Sequence, residues 1–516
     1  MNKTDPLCVQ LLKNLILCSE KAAAIARLIK KQTSIFQTLV QVKDSTEANL
    51  RFSVDVKTLA DVLIQEVVKY ELNLLFPDSS DSVFGEENNR FSCNSGKTIT
   101  IQLSSKENLA ELLIEVLDND LNFANELSEI CFQPLETFQV HLPVRTIWNH
   151  LINSCNSLNK LTDTKYYNVQ TFGVWIDPID STADYAQGQL DKFPLSPPST
   201  STSILSGTEA ENVNQINRFF ENPTSLIRFC HGSLINVTIL LGLFDRFTGL
   251  PIIGVVNQPF YLNNNSDYAN ITDNLLDNEI NSLHNYGRIF WGFNVTDSET
   301  SPPITGYSNN CSRQCLLNSL NNLNTPKYLR FPDNFFDVLC PDRVFSEGKP
   351  ILKLACSSVE FSRLTNLFHN YRDGSHDLVN VVFLSSSGAG FKQLCVILNE
   401  VDAFILMEPN TFLWDTCGPH CIISALGGGI VQLKYALETV KLLLQKFSND
   451  LDTVIQLTFN DLHKFQIKYN VLKSPEEFQK LTSANLSQCC NRNGLLAYRN
   501  PMIASQILVH IALNQK

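Results

Sequence analysis

Four groups of acidic residues lie where the pattern around them implies strand ends and helix starts. The most informative is Asp177-Pro178-Ile179-Asp180-Ser181-Thr182. It follows Phe172-Gly173-Val174-Trp175-Ile176, an apolar run that reads as a buried strand. Pro178 has a fixed φ and no N–H for a ladder, so the chain is expected to turn there. The carboxylates of Asp177 and Asp180 and the carbonyl of Ile179 can then converge, a set of hard oxygen ligands suited to Mg²⁺. Ser181 and Thr182 add two hydroxyls and, if a helix starts there, backbone N–H groups that favour an anion. Cation ligands beside phosphate donors point to metal-assisted phosphate chemistry. The competing reading is a solvated turn in which the Asp side chains cap their own backbone.

The other acidic groups bear on that choice. Leu59, Val62, Leu63, Val67, Tyr70 and Leu74 repeat at helical spacing, Phe76-Pro77 ends that helix, and Ser82-Val83-Phe84 makes a short strand leading to Gly85-Glu86-Glu87. Adjacent carboxylates at a strand end repel one another unless a cation neutralises them. Asp415 follows Trp414 near an expected helix start, with Gly427-Gly428-Gly429 downstream. A capping role near the helix dipole is the plainer reading of Asp415 alone. Asp55, in the stretch from Phe52 to Asp61 just before the first of these helices, is open to the same reading.

Taken in order, Asp55, Gly85-Glu86-Glu87, Asp177 to Thr182, and Trp414-Asp415 with its downstream glycines resemble the motif set of the lithium-sensitive, Mg²⁺-dependent phosphomonoesterases, the inositol monophosphatase superfamily. Longer stretches resemble the inositol polyphosphate 1-phosphatase branch: Cys18 to Ala23, Val54 to Leu63, Gly254 to Phe260, Gly388 to Lys392 and Gly494 to Arg499. The resemblance implies an α/β fold, a layered α-β-α-β-α sandwich of two lobes as in the sugar phosphatases, with the site in the cleft. It implies removal of the 1-phosphate from inositol polyphosphates such as inositol 1,4-bisphosphate and inositol 1,3,4-trisphosphate by metal-activated water. A bisphosphate 3′-nucleotidase of the same superfamily is the alternative enzyme. A non-catalytic phosphate-binding protein is the alternative of another class, and it would be expected to have lost a ligand.

By the same resemblance, Glu86, Asp177 and the Ile179 carbonyl hold one Mg²⁺, and Asp177, Asp180 and Asp415 a second. Asp55 and Glu87 form an outer site where Li⁺ competes. Thr182, oriented by Asp55 or Glu86, activates the water, which makes Thr182, Glu86 and Asp55 the catalytic set. Asp180, Ser181, Thr182, Ser357, Gly388 and Lys392 contact substrate. Gly388 to Lys392 also reads from the residues alone as a glycine turn opening a helix, with one cation for a second anion. The chain departs from the pattern after Ser357, where Ser358 and Val359 stand in place of a lysine.

The 516 residues are 44% hydrophobic, enough for a large core. The formal net charge of −12 argues against nucleic acid as a partner; the resemblance implies inositol phosphates as the small-molecule partners, and a monomer is expected. No signal peptide or membrane span is read, and the 15 scattered cysteines suit free thiols in the cytoplasm. Cys417, His420 and Cys421 share helical spacing and read as packing rather than as a zinc site. Residues 1–295 are expected to form an N-terminal lobe with inserted segments near 138–168, 189–230 and 262–285. Residues 325–516 would form a C-terminal α/β lobe, and 296–350 a loop or insertion.

Overall fold

The computed structural model describes residues 7–43, 55–76, 82–92, 96–138, 172–188, 224–228, 232–262, 286–293, 351–369, 371, 380–447, 450–470 and 488–515. The stretches expected as insertions lie almost wholly outside these residues, as does all of 296–350.

The described strands are β1 (Val40–Val42), β2 (Val56–Thr58), β3 (Val83–Gly85), β4 (Arg90–Ser92), β5 (Thr98–Thr100), β6 (Phe172–Asp180), β7 (Thr224–Arg228), β8 (Thr238–Asp245), β9 (Pro251–Leu262), β10 (Tyr286–Phe293), β11 (Ile351–Cys356), β12 (Asn380–Ser385), β13 (Ala403–Leu406), β14 (Gly429–Gln432) and β15 (Leu495–Tyr498). A first sheet runs in the order β10-β9-β8-β6-β3, antiparallel except for the parallel pair β3 and β6. A second runs β14-β15-β13-β11-β12-β7, with parallel pairing from β13 to β7. Strand β7 comes from a stretch expected as an insertion in the first lobe, yet it pairs along β12 in the second sheet. Five residues flanked by segments without periodicity carry no signal of that destination.

Helices α1 (Leu7–Lys31) and α2 (Leu59–Leu75) cover one face of the first sheet, with α3 (Lys106–Val116) and α4 (Leu121–Phe132) packed beside α1. The short α5 (Thr182–Gln187) follows β6. On the outer face of the second sheet lie α6 (Phe361–Phe368), α9 (Leu433–Lys446), α10 (Leu451–Asp461) and α11 (Pro501–Asn514). Between the sheets lie α7 (Ala389–Ile397) and α8 (Leu413–Ala425). The layers are therefore helix, sheet, helix, sheet, helix, as expected.

The alternation of side chains along β6 aims the site. Val174 and Ile176 pack toward α1 and α2. Trp175 faces the middle layer, its ring 6.0 Å from that of Trp414 on α8. Asp177 lies two residues beyond Trp175 and so shares that face. Asp415 lies one residue beyond Trp414, and the two aromatic rings bring the two carboxylates together.

The expected turn at Pro178 is replaced by a bulge. β6 does not stop at Ile176 but continues to Asp180. Asp177 pairs with Leu240 and Asp180 with Thr238, three steps on one strand against two on the other. The extra residue lets a proline without an N–H leave the ladder while the strand goes on.

Helix α8 is pressed onto the first sheet through glycines. A Cβ on Gly254 would come 2.0 Å from the carbonyl oxygen of Gly418, and one on Gly242 2.5 Å from the Gly418 nitrogen. Backbone atoms cannot swing aside as a side chain can. Gly254→Ala is thus expected to destabilise the protein by about 1–3 kcal/mol through overpacking, and to weaken divalent-cation binding because Asp415 rides on the displaced helix. Urea unfolding and calorimetric cation titration measure the two effects; wild-type values in both would show that the contact has slack.

Candidate active site

Asp177, Asp180 and Asp415 each offer a carboxylate oxygen, and these atoms lie within 4.8 Å of one another. Asp415 is in the first turn of α8, where its Oδ2 accepts the Phe412 N–H at 2.6 Å. Asp415 does cap the helix, though from its third residue rather than as the N-cap, which is Phe412, and its carboxylate also faces the other two. Asp180 is clasped by α7: Oδ1 accepts the Ala389 N–H at 3.1 Å, and Oδ2 accepts the Gly390 N–H at 2.8 Å and the Thr238 hydroxyl at 3.0 Å. Gly388 makes this grip possible. Its φ is +72°, and a Cβ there would sit 3.0 Å from Asp180 Oδ2.

The charges in this cluster are uncomfortable. Asp177 is 1% exposed, and its Oδ1 has no hydrogen-bond partner. Burial, then the fields of Glu86, Asp180 and Asp415, push its pKa well above the usual carboxylate range. Burial, then Asp180 and Glu86, do the same to Asp415. Burial lifts Asp180 to about 6 against the opposing pull of Lys392 and the Gly390 N–H. An unpartnered buried oxygen among like charges is costly unless a cation neutralises it. The donor set is all oxygen and fits a hard divalent ion such as Mg²⁺.

Glu86 and Glu87 follow β3. Gln65 on α2 fixes the Glu87 backbone: its Oε1 accepts the Glu87 N–H at 2.9 Å, and its amide donates to the Glu87 carbonyl, while the Glu86 N–H donates to the Ile176 carbonyl at 3.2 Å. Lys43 reaches into the same place. Its Nζ lies 2.5 Å from Glu87 Oε1, 2.8 Å from Glu86 Oε1 and 4.0 Å from Asp55 Oδ1. Sequence reasoning missed Lys43 and Gln65, since neither stands in a motif and only the tertiary fold brings them to the glutamates.

Thr182 requires a correction. Its hydroxyl lies 2.9 Å from the Ile179 carbonyl and 3.4 Å from Asp61 Oδ1. Its acidic partner is thus Asp61, and the expectation that Asp55 or Glu86 orients it does not hold. Asp61 is in the first turn of α2, where its Oδ2 accepts both the N–H and the hydroxyl of Thr58, at 2.7 and 2.5 Å. That leaves Oδ1 to face Thr182. Asp55 precedes β2, and its carboxylate turns toward Lys43 instead. Burial, opposed by the Thr58 hydrogen bond and reinforced by Glu86, raises Asp61 to about 7. The Thr58–Asp61 spacing was a readable signal for this helix start.

Ser181 is in the left-handed region at φ +71° and donates to Asp184 Oδ2 at 3.0 Å, where Asn236 and Ser387 also converge. Lys392 is buried, donates to the Ser386 carbonyl at 2.9 Å, and lies 5.5 Å from the Phe404 ring centroid. Ser357 is half-buried where β11 ends, and Val359 beside it is 84% exposed. His420 pairs with Tyr469 and Gln466, and Cys421 with the Gly292 carbonyl, so this trio packs the core.

The description "Inositol monophosphatase family" matches residues 348–453. The human protein named inositol polyphosphate 1-phosphatase is 30% identical over 95% of this chain and 94% of its own length. The chain belongs to the inositol monophosphatase family. The mouse protein of the same name is 28% identical over 95% of this chain and 94% of its own. The Dictyostelium discoideum 3′(2′),5′-bisphosphate nucleotidase 1 is 36% identical, but over only 13% of this chain and 22% of its own.

Among the described residues of this inositol monophosphatase family member, no helix is long and apolar enough to cross a membrane. Its buried carboxylates predict an inverted pH response. Asp180, Asp61 and Glu87 are raised to about 6, about 7 and about 8. The cation-free folded state holds protons that the unfolded chain has already released, so stability falls as pH rises from about 4 to about 8. The melting temperature in chelator should therefore drop between pH 5 and pH 8, and Mg²⁺ should restore it. Asp177→Asn should raise the cation-free melting temperature at pH 8. A cation-free protein that becomes more stable over that range would contradict the assignment of these charges.

Proposed function

We propose that this protein is a Mg²⁺-dependent phosphomonoesterase that removes the 1-phosphate from inositol polyphosphates. The observation that carries the reading is the convergence of Asp177, Asp180 and Asp415 beside Glu86 and the Asp61–Thr182 pair. It occurs in a chain similar over nearly its whole length to proteins named inositol polyphosphate 1-phosphatase.

Asp177, Asp180, Asp415, Glu86 and the Ile179 carbonyl would hold the ions, with Asp55 and Glu87 outside them. Bound there, Mg²⁺ supplies charge neutralisation at the phosphate and acidifies a water. The chain's own residues do the rest. Asp61 Oδ1 accepts the Thr182 hydroxyl proton and leaves the Thr182 oxygen free to accept a proton from a water. Thr58 holds Asp61 in that orientation through two hydrogen bonds. Ser181, Ser357 and the Gly388 turn border the substrate side. Lys392 lends positive charge from below Asp180, and the exposed Val359 offers a distal phosphate no cation. Lithium inhibition follows from the resemblance, with the Asp55–Glu87 end as its site.

The deciding experiment is phosphate release from inositol 1,4-bisphosphate beside adenosine 3′,5′-bisphosphate, with Mg²⁺ and with chelator. Faster turnover of the inositol substrate, lost in chelator, is expected. Preference for the nucleotide, or full turnover in chelator, would overturn the reading. Within the site, Asp61→Asn should lower kcat by about 10²–10⁴-fold with KM little changed. Asp55→Asn should cost far less, because Thr182 keeps its partner. The reverse ranking would return the orienting role to Asp55.

A further inference from the structure

Asp184 is a buried carboxylate that stands apart from the acidic cluster. It is 8% exposed, and its Oδ2 accepts the Ser181 hydroxyl at 3.0 Å, the Asn236 amide at 2.9 Å and the Ser387 hydroxyl. The Asn236 amide also lies 2.9 Å from Ser387 Oγ, which closes the group. The three donors come from three places in the fold. Ser181 is the N-cap of α5, and Asn236 ends the 3₁₀ turn Leu234–Asn236 ahead of β8. Ser387 lies between β12 of the second sheet and the Gly388 turn. Helix α5 is itself seated on α1, since Lys30 Nζ donates to the Tyr185 carbonyl at 2.6 Å and the Tyr185 hydroxyl donates to the Ala26 carbonyl at 2.8 Å. The bond from Asp184 to Ser387 therefore joins the helices of the first sheet to the second sheet.

A carboxylate only accepts, so each serine must direct its single hydroxyl proton at Asp184. Ser181 Oγ keeps its lone pairs and nothing else. It can accept a proton from a substrate hydroxyl, and it has none to offer a phosphate oxygen. Ser181 is half-buried at φ +71°, a conformation that a serine keeps only where neighbours fix it. We propose that Asp184 is a positioning residue that clasps the two walls of the substrate mouth and makes the Ser181 side chain a hydrogen-bond acceptor, so that it reads a free hydroxyl of the substrate rather than its phosphate. This rests on the phosphomonoesterase reading, under which Ser181 and the Gly388 turn border the substrate.

The test uses the full chain with Mg²⁺, inositol 1,4-bisphosphate as substrate, and inorganic phosphate as a competitor that has no ring hydroxyls. Asp184→Ala should raise KM by about tenfold while kcat changes by less than about threefold. Inhibition by inorganic phosphate should keep its wild-type strength. Asp184→Asn, whose amide oxygen still accepts, should recover most of the loss in KM. Calorimetric Mg²⁺ affinity should not move, because Asp180 is held by Ala389, Gly390 and Thr238 rather than by Asp184. A wild-type KM in Asp184→Ala would overturn the proposal. So would a parallel weakening of substrate, phosphate and Mg²⁺, which marks a general loss of structure. Should Asp184→Ala not fold, Ser387→Ala removes only the bond between the two walls and should raise KM by about threefold; a wild-type KM there would overturn the clasp. If wild type fails to turn over the inositol substrate, the reading of the site fails first. If wild type is active and Asp184→Ala is indifferent, only the role of Asp184 fails.

Discussion

Carboxylates gathered in a buried space repel one another, and each loses water that would have stabilised its charge. Asp177, Asp180 and Asp415 occupy such a space, with Glu86, Glu87, Asp61 and Asp55 close by. No packing of apolar residues relieves that repulsion; protons, a lysine or a cation must. Burial and mutual repulsion raise the pKa values of Asp61, Asp177, Asp180, Asp415 and Glu87, so that protons relieve part of the repulsion, and Lys43 lies against the glutamate end. A polypeptide that maintains so unfavourable a concentration of charge must be rigid around it.

The rigidity comes from the middle layer. Helix α8 lies directly on the first sheet because Gly242, Gly254 and Gly418 present no side chains between the two backbones. Trp175, Trp414 and Phe412 fill the space beside that contact, with Trp414 stacked on Phe412 at 4.5 Å. Asp177 and Asp415 are the next side chains along, so they inherit the precision of the aromatic packing. Asp180 is held differently, by the first N–H groups of α7 and by Thr238 across the bulge. Each carboxylate is thus fixed by a separate element, and none can move away from the others without breaking backbone hydrogen bonds or core contacts.

Elements outside the sheets refine the chemistry. Thr58 and Gln65 contact no carboxylate of the central trio. Thr58 directs Asp61 at Thr182, and Gln65 fixes the backbone from which Glu87 projects. Both are attached to α2, whose apolar face is sunk against the first sheet. Burial of one helix therefore positions groups at two places in the site.

Much of this was legible in the residues. The order and spacing of the acidic motifs and the apolar run before Asp177 pointed to the acidic cluster, and the family resemblance carried by those motifs implied the layered fold. Those signals are local: a strand, a proline and a pair of carboxylates keep their meaning wherever the chain goes. What only the tertiary structure decided is which groups meet across distance. Asp55 and Asp61 are both acidic and both stand near the start of α2. Which of them faces Thr182 depends on the first helical residue and on the direction of one turn, a difference too small for periodicity to resolve. Lys43 carried no motif at all, and its place among Glu86, Glu87 and Asp55 arises from the register of a three-residue ribbon. Strand β7 likewise joined a sheet through pairing with a strand far along the chain. Local sequence specifies conformation through propensity and period, whereas the contacts between distant residues are set by how the assembled layers pack.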